Sequence, residues 1–231
     1  MQQLPLDIEI KADATFGNFV TGGDDNAQLV SMLEKVAEGE SEFVYLYGET
    51  GTGRSHLLQA FAQRYSECLP QALIAYIPLD NMQLVPDMVE GLAGFDAVCI
   101  DGLERCLGDK AWETALFNLY NQLKEQNKTF IIAGMEAPQQ LKVGLADLKS
   151  RLSAMLIHAI QPLSDVDKRL LIQKKAEERG LELTEEVAIF LLSRQQRDLP
   201  YLLGMLETLD QASLQAQRRL TIPFVKQVLE L

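Results

Sequence analysis

Short apolar runs alternate with amphipathic stretches along the first two thirds of the chain, and the two periods assign the elements. Residues 43–47 are apolar without interruption and read as a strand. A glycine-rich turn follows, then a helical stretch carrying Leu57, Leu58, Phe61 and Tyr65. Residues 72–77 and 97–100 predict the second and third strands. Leu116, Leu119, Tyr120 and Leu123 then recur at i, i+3, i+4 and i+7, the spacing of a helix with one buried face. Residues 129–133 and 156–160 complete a set of five strands. Strands that are apolar throughout and separated by amphipathic helices predict a parallel sheet covered on both faces, hence an α/β fold.

The periods change on either side of this block. Before it, residues 26–38 predict a helix with Leu29, Leu33 and Val36 inward, Asp25 as N-cap and Gly39 just past its end. After Pro162 only helical patterns remain. Ser164 is expected to cap a helix bearing Leu170 and Leu171, and Thr184 another with Glu185 and Glu186 in its first turn. A third helix follows Asp198, and Thr221 opens a last one. The change places a domain boundary at 162–164, giving a polar tail over 1–15, an α/β domain over 16–162 and a small helical domain over 163–231. The tail has no periodicity and is expected to be mobile.

Composition narrows the setting. Of 231 residues, 47% are hydrophobic and 23% charged, ordinary usage for a packed domain. The longest apolar runs are far short of the roughly 20 residues that span a bilayer, and no basic-then-apolar leader opens the sequence. Three cysteines (Cys68, Cys99, Cys106) cannot all pair within one chain, and none forms a C-x-x-C, so a reducing cytoplasmic location is expected. The net charge of −12 argues against a protein that grips phosphate backbones by itself, because counterion release by basic side chains supplies that affinity. Contact with DNA is therefore expected only indirectly, through a protein partner.

The candidate chemistry begins at residue 48. Gly48, Glu49, Thr50, Gly51, Thr52, Gly53, Arg54 and Ser55 follow the G-x-x-x-x-G-K-[ST] pattern of a Walker A loop, with arginine where lysine is usual. Glycines let backbone N–H groups turn toward phosphate oxygens, the following helix adds its positive end, and Ser55 can offer a hydroxyl to Mg²⁺. Arg54 is larger and planar where lysine is a compact point charge, so close handling of a γ-phosphate is expected to weaken while phosphate binding survives. His56 is expected to pack or to contact phosphate through its backbone. Residues 97–101 have the Walker B form, an apolar strand ending in Asp101, a metal-directed acid. The next residue is Gly102 rather than a second acid, and the nearest carboxylate is Glu104. His158, Trp112, Phe117 and Tyr120 read as packing residues.

The segment from Thr15 to Gly22, including Phe19 and Val20, followed by the loop at 48–55, resembles the entry to the AAA+ core of the bacterial initiator DnaA. Residues 148–152, with Arg151, resemble its box VII. The stretch from Leu209 to Lys226 resembles the end of the Hda family of DnaA-related regulators, which also carries arginine at the Walker A lysine position. The resemblance implies an AAA+ αβα core with a five-stranded parallel sheet, a helical lid, and bound ADP or another nucleoside diphosphate, contacted by Phe19, Val20, the loop residues, His56 and Pro200. It implies that Arg151 acts as an arginine finger in trans on DnaA. It also implies that Gln3, Leu4, Leu6 and Ile8 dock on the sliding clamp, the DNA polymerase III beta subunit. The action implied is negative regulation of replication initiation by stimulating hydrolysis of DnaA-bound ATP. DnaA has a DNA-reading helix-turn-helix after its lid, where this sequence ends.

The sequence departs from the pattern at four places that handle γ-phosphate. They are Arg54, Gly102, residues 133–135 without an evident polar sensor, and Asp198-Leu199-Pro200 where a sensor arginine is usual. Together they predict a module that holds a diphosphate and catalyses little alone, the ligand setting the angle between core and lid. The alternative is a self-sufficient ATPase of the helicase-loader type, which requires turnover by the isolated chain. A small-molecule P-loop kinase would need a phosphoacceptor pocket and lid arginines that the sequence does not present. Base selectivity and association with a second copy are left open.

Overall fold

The computed structural model describes residues 12–80, 84–193 and 199–230. The chain divides into two compact units, Met1–Glu49 with Gly53–Gln161 and Thr50–Thr52 with Pro162–Leu231.

The first unit is built on five parallel strands, β1 (Phe43–Tyr47), β2 (Ile74–Pro78), β3 (Ala97–Asp101), β4 (Thr129–Gly134) and β5 (Leu156–Ala159), in the order β2-β3-β4-β1-β5. The three central strands are buried on both sides and send alternate side chains to opposite faces, the period-2 rule of a pleated strand. Tyr45, Val98, Ile100, Phe130 and Ile132 enter one core, with Leu116, Leu119 and Leu123 of α4 (Lys110–Glu125) and Leu148 and Leu152 of α5 (Ala146–Ser153). Val44, Leu46, Cys99 and Ile131 enter the other, with Leu29 and Leu33 of α1 (Asp24–Ala37) and Leu57, Leu58 and Phe61 of α2 (Arg54–Cys68). Each such side chain contributes about 1.5–3 kcal/mol of burial. A short helix, α3 (Pro86–Glu90), packs by Val89 into the first core.

The first helix corrects one expectation. α1 begins at Asp24, and its N-cap is Gly23, which makes no side-chain cap; Asp25 lies inside the first turn. There its charge still complements the positive helix end. Gly39 follows the C-cap with φ 117, as expected of the residue past a helix end. Asn26, 2% exposed, donates to the Thr21 and Gln161 carbonyls and accepts from the Gln161 N–H, tying α1 to the chain leaving β5.

The second unit contains α6 (Asp165–Glu178), α7 (Glu185–Leu192), α8 (Leu199–Ala216) and α9 (Ile222–Val228). Ile172, Ala176, Val187, Leu191, Leu206, Leu209 and Val225 form its core. Ser164, Thr184 and Thr221 accept hydrogen bonds from the N–H groups of Asp167, Val187 and Phe224. Such caps satisfy donors that the first helical turn leaves unpaired. Among the described residues, no helix is long and apolar enough to cross a membrane.

Candidate functional site

The loop at 48–55 leaves the carboxyl end of β1 and enters α2, and the carboxyl ends of the strands are where open α/β sheets take ligands. Gly53 is the N-cap of α2 at φ 97, a left-handed conformation that disfavours any side chain. A Cβ there would also lie 2.6 Å from the Phe19 ring. No side chain caps α2, and its first turn holds no acid, so the positive end of the helix faces the loop. That is a cradle for an anion built from backbone. Glu49 and Thr50 are exposed, Thr52 is buried, and Ser55 is exposed in the first turn of α2.

Phe19 and Val20, both half-buried, follow the short 3-10 turn Phe16–Asn18. The Phe19 ring stands 5.7 Å from that of His56, whose Nε2 lies 2.8 Å from the Thr15 carbonyl oxygen. His56 thus ties the entry segment to the loop through its side chain.

Arg54 pairs with Glu104. Its Nη1 lies 3.3 Å from Oε1 of Glu104, with only 13% of its side chain exposed. The other carboxylate oxygen of Glu104 accepts the Met135 N–H at 3.2 Å. Gly102 explains why this carboxylate comes at 104: it has φ 80 and ψ 46, a left-handed turn that an acidic residue would adopt only under strain. The turn leads into the 3-10 segment Leu103–Arg105, which carries Glu104. Beside it, a Cβ on Gly134 would collide with the Tyr45 hydroxyl, which donates instead to the Glu136 carbonyl at 3.0 Å. Burial, and then the Glu104 carboxylate, push the Tyr45 phenol far above its ordinary range, so it stays a neutral donor.

Asp101 ends β3 and is 9% exposed. Tyr76 of β2 donates its hydroxyl to Oδ2 of Asp101 at 2.8 Å, and Gln59 of α2 donates to the Tyr76 oxygen at 3.2 Å. Burial, then Asp101, push the Tyr76 phenol upward. Among the described residues, no group of three or more His, Cys, Asp or Glu side chains could hold a metal ion. Magnesium needs less than that beside a nucleotide, since it keeps waters and takes phosphate oxygens. The donor set fits that mode: the Ser55 hydroxyl and the Asp101 carboxylate are the oxygens that would hold it.

Arg151 stands elsewhere. Its helix, α5, lies on the opposite face of the sheet from α2. Arg151 is exposed, and its guanidinium carbon lies 5.7 Å above the ring of Tyr120, which packs edge-on against Phe43 at 4.9 Å. The platform under α5 is fixed by Glu113, 2% exposed in the first turn of α4. Its Oε1 accepts from Gly108 N at 2.9 Å and Gly144 N at 3.0 Å, and Oε2 from Leu145 N at 2.7 Å. Burial raises its affinity for a proton, but the three N–H donors prevail and hold the carboxyl below its ordinary value. Sequence reasoning missed Glu113, although an acid three residues before Leu116 on an apolar helix face was the available signal. It also missed Tyr76 and Gln59, whose roles depend on strand neighbours.

Pro200 is exposed near the start of α8 in the second unit. Gln3, Leu4, Leu6 and Ile8 lie outside the described residues, as does Asp198. The thiols of Cys68, Cys99 and Cys106 are free; burial raises those of Cys99 and Cys106, the latter to about 12.

Comparison with known proteins places this geometry. The family model of the bacterial DnaA ATPase domain matches residues 10–159, and that of the Hda lid domain matches residues 165–229. Domain III of the replication initiation protein DnaA from Thermotoga maritima superposes with a TM-score of 0.83 at 23% identity, over 95% of this chain and 97% of that one. AMPPCP-bound DnaA from Aquifex aeolicus gives 0.74 at 22% identity, over 88% and 67%. The Holliday junction branch migration motor RuvB of Thermotoga maritima gives 0.68 at 18%, over 94% and 73%.

Proposed function

This chain belongs to the bacterial DnaA ATPase-domain family and carries an Hda lid domain, and from that premise we propose that it is a negative regulator of replication initiation. It holds a nucleoside diphosphate, ADP, at its own loop and presents Arg151 to the ATP site of a neighbouring DnaA. Gln3, Leu4, Leu6 and Ile8 tether it to the DNA-loaded sliding clamp, so that its action is confined to replicated DNA.

The observation that carries this reading is the opposite disposition of two arginines. Arg54 is spent inside the chain on Glu104, while Arg151 stands exposed on a supported helix on the opposite face of the sheet from α2. A cation so placed is of no use to the chain's own phosphates. In a partner's site it stabilises charge developing on the transferring γ-phosphoryl, and such fingers are worth roughly 10³–10⁵ in rate.

The backbone donors at the start of α2 bind the diphosphate, and the Phe19–His56 pair closes the entry side. Ser55 and Asp101 would hold Mg²⁺, whose contribution is to neutralise phosphate charge. Tyr76 fixes the Asp101 carboxylate in one orientation. No second acid follows Asp101 directly to orient water, and Glu104 has both carboxylate oxygens engaged. The chain is therefore a poor hydrolase of its own ligand.

The test is a reconstitution. ATP-loaded DnaA is incubated with clamp loaded on DNA and this protein, and the ADP on DnaA is measured. Stimulation that requires both the clamp and this protein is expected. Hydrolysis at the rate of DnaA alone would refute the proposal.

A further inference from the structure

We propose that Glu104 is the residue that makes this site choose a nucleoside diphosphate over a triphosphate, by supplying to Arg54 the negative charge that a terminal phosphate would otherwise bring. The inference rests on the reading that the loop holds a nucleotide, and names what decides the number of phosphates.

The geometry comes from three neighbouring strand ends. Tyr47 at the end of β1 pairs with Gly134, and Asp101 at the end of β3 pairs with Ala133, so β4 lies between the loop and Glu104. Arg54 reaches across that central strand end to Glu104. Phosphates that follow the helix start meet backbone N–H groups first. The next phosphate outward would look for the basic side chain of the loop, and would find it already neutralised.

Three features keep the pair closed. The Met135 N–H holds the second oxygen of Glu104 at 3.2 Å, so the carboxylate is fixed from two sides. The left-handed turn at Gly102 brings the acid to this place instead of the position directly after Asp101. Gly134 contributes no side chain, the volume beside it being taken by the Tyr45 hydroxyl, whose hydrogen bond goes to the Glu136 carbonyl. Gly134 and Met135 at that strand end therefore offer no polar side chain to a further phosphate oxygen.

A triphosphate must therefore either separate Arg54 from Glu104 or set a second anion beside a carboxylate that is 27% exposed. Like charges repel, the more so where they are partly shielded from water. A diphosphate meets neither obstacle. The guanidinium suits this role better than an ammonium would, because its planar fork matches a carboxylate and it stays charged when shielded from water.

The experiment is equilibrium titration of the full chain, wild type and Glu104→Gln, with ADP and with the non-hydrolysable triphosphate AMPPNP, each with and without Mg²⁺. Glu104→Gln removes the charge and keeps the shape. The expected result is ADP affinity within about threefold of wild type and AMPPNP affinity raised about tenfold, a change of 1.4 kcal/mol. Glu104→Ala, folded by circular dichroism, is expected to shift the ratio in the same direction. An unchanged ratio in both variants overturns the inference while leaving nucleotide binding in place. Equal loss of both ligands also overturns it, by making Glu104 a support of the loop and not a selector. A wild-type chain that takes up neither ligand overturns the nucleotide reading itself, and this inference with it.

Discussion

The phosphate loop and the α5 face each carry one arginine, and the chain treats the two in opposite ways. Around the loop, Arg54 is mostly covered and matched by Glu104, and the start of α2 has neither a side-chain cap nor an acid in its first turn. On the α5 face, Arg151 is exposed and rests on the Tyr120 ring. Anionic support there goes to the backbone instead, since Glu113 binds Gly108, Gly144 and Leu145. A paired, shielded guanidinium contributes to shape and selectivity. An exposed one is open to another protein, at the cost of about 0.5–1.5 kcal/mol to order its side chain there.

The comparison is broken most severely at Arg151. Arg151→Ala is expected to lower stimulation of DnaA's ATP hydrolysis by about 10³-fold, with nucleotide binding and melting temperature unchanged. Activity retained in that variant would remove the distinction between the two arginines.

Replacing Gln3, Leu4 and Leu6 together by alanine is expected to weaken association with the clamp by about 100-fold, since a few apolar anchors carry most of such an interface. Surface plasmon resonance on immobilised clamp checks this. Undiminished binding would assign the tether to another part of the chain.

Glu113→Ala sharpens the comparison by disturbing the platform and sparing the arginine. Buried N–H groups left without an acceptor cost about 1–3 kcal/mol each, less what water recovers, so a loss of about 3 kcal/mol in urea unfolding is expected. The pH dependence has a defined sign. The folded carboxyl lies below its ordinary value of 4.5, so its contribution is complete above that value and is lost as pH falls through the lower, folded one. The stability gap between wild type and variant should therefore be full at neutral pH and shrink in acid below 4.5. A gap independent of pH would contradict the assignment.

The smallest expected effect is at the loop. Gly53→Ala places a Cβ against Phe19 at a left-handed φ, and a strain of about 1–3 kcal/mol should weaken nucleotide binding by roughly tenfold or more. Stimulation of DnaA is expected to fall less than in Arg151→Ala.

The sheet and the loop were legible because they are written locally. The apolar runs at 43–47 and 130–133 fit strands buried on both faces, and the glycines between β1 and α2 mark a tight strand-to-helix turn. The helix caps at Ser164, Thr184 and Thr221 were legible for the same reason. Asp25 misled because two consecutive acids both suit a first turn, and the backbone settled on Gly23 as the cap. The order β2-β3-β4-β1-β5, and with it the meeting of Arg54, Glu104 and Met135, follows from pairing across the sheet. No local period records that pairing. Tyr76 reaching Asp101 was hidden in the same way: in sequence it is one more bulky strand residue.

The central claim is that backbone donors at the start of α2 hold a nucleotide which the chain itself does not turn over. Purified wild-type protein, titrated with ADP under Mg²⁺ and then supplied with ATP at the same concentration, tests both halves in one preparation. Saturable binding of about one ADP per chain through the helix-start site is expected, with ATP left unhydrolysed until DnaA and loaded clamp are added. Absence of any saturable nucleotide binding, or brisk ATP turnover by the chain alone, would contradict it.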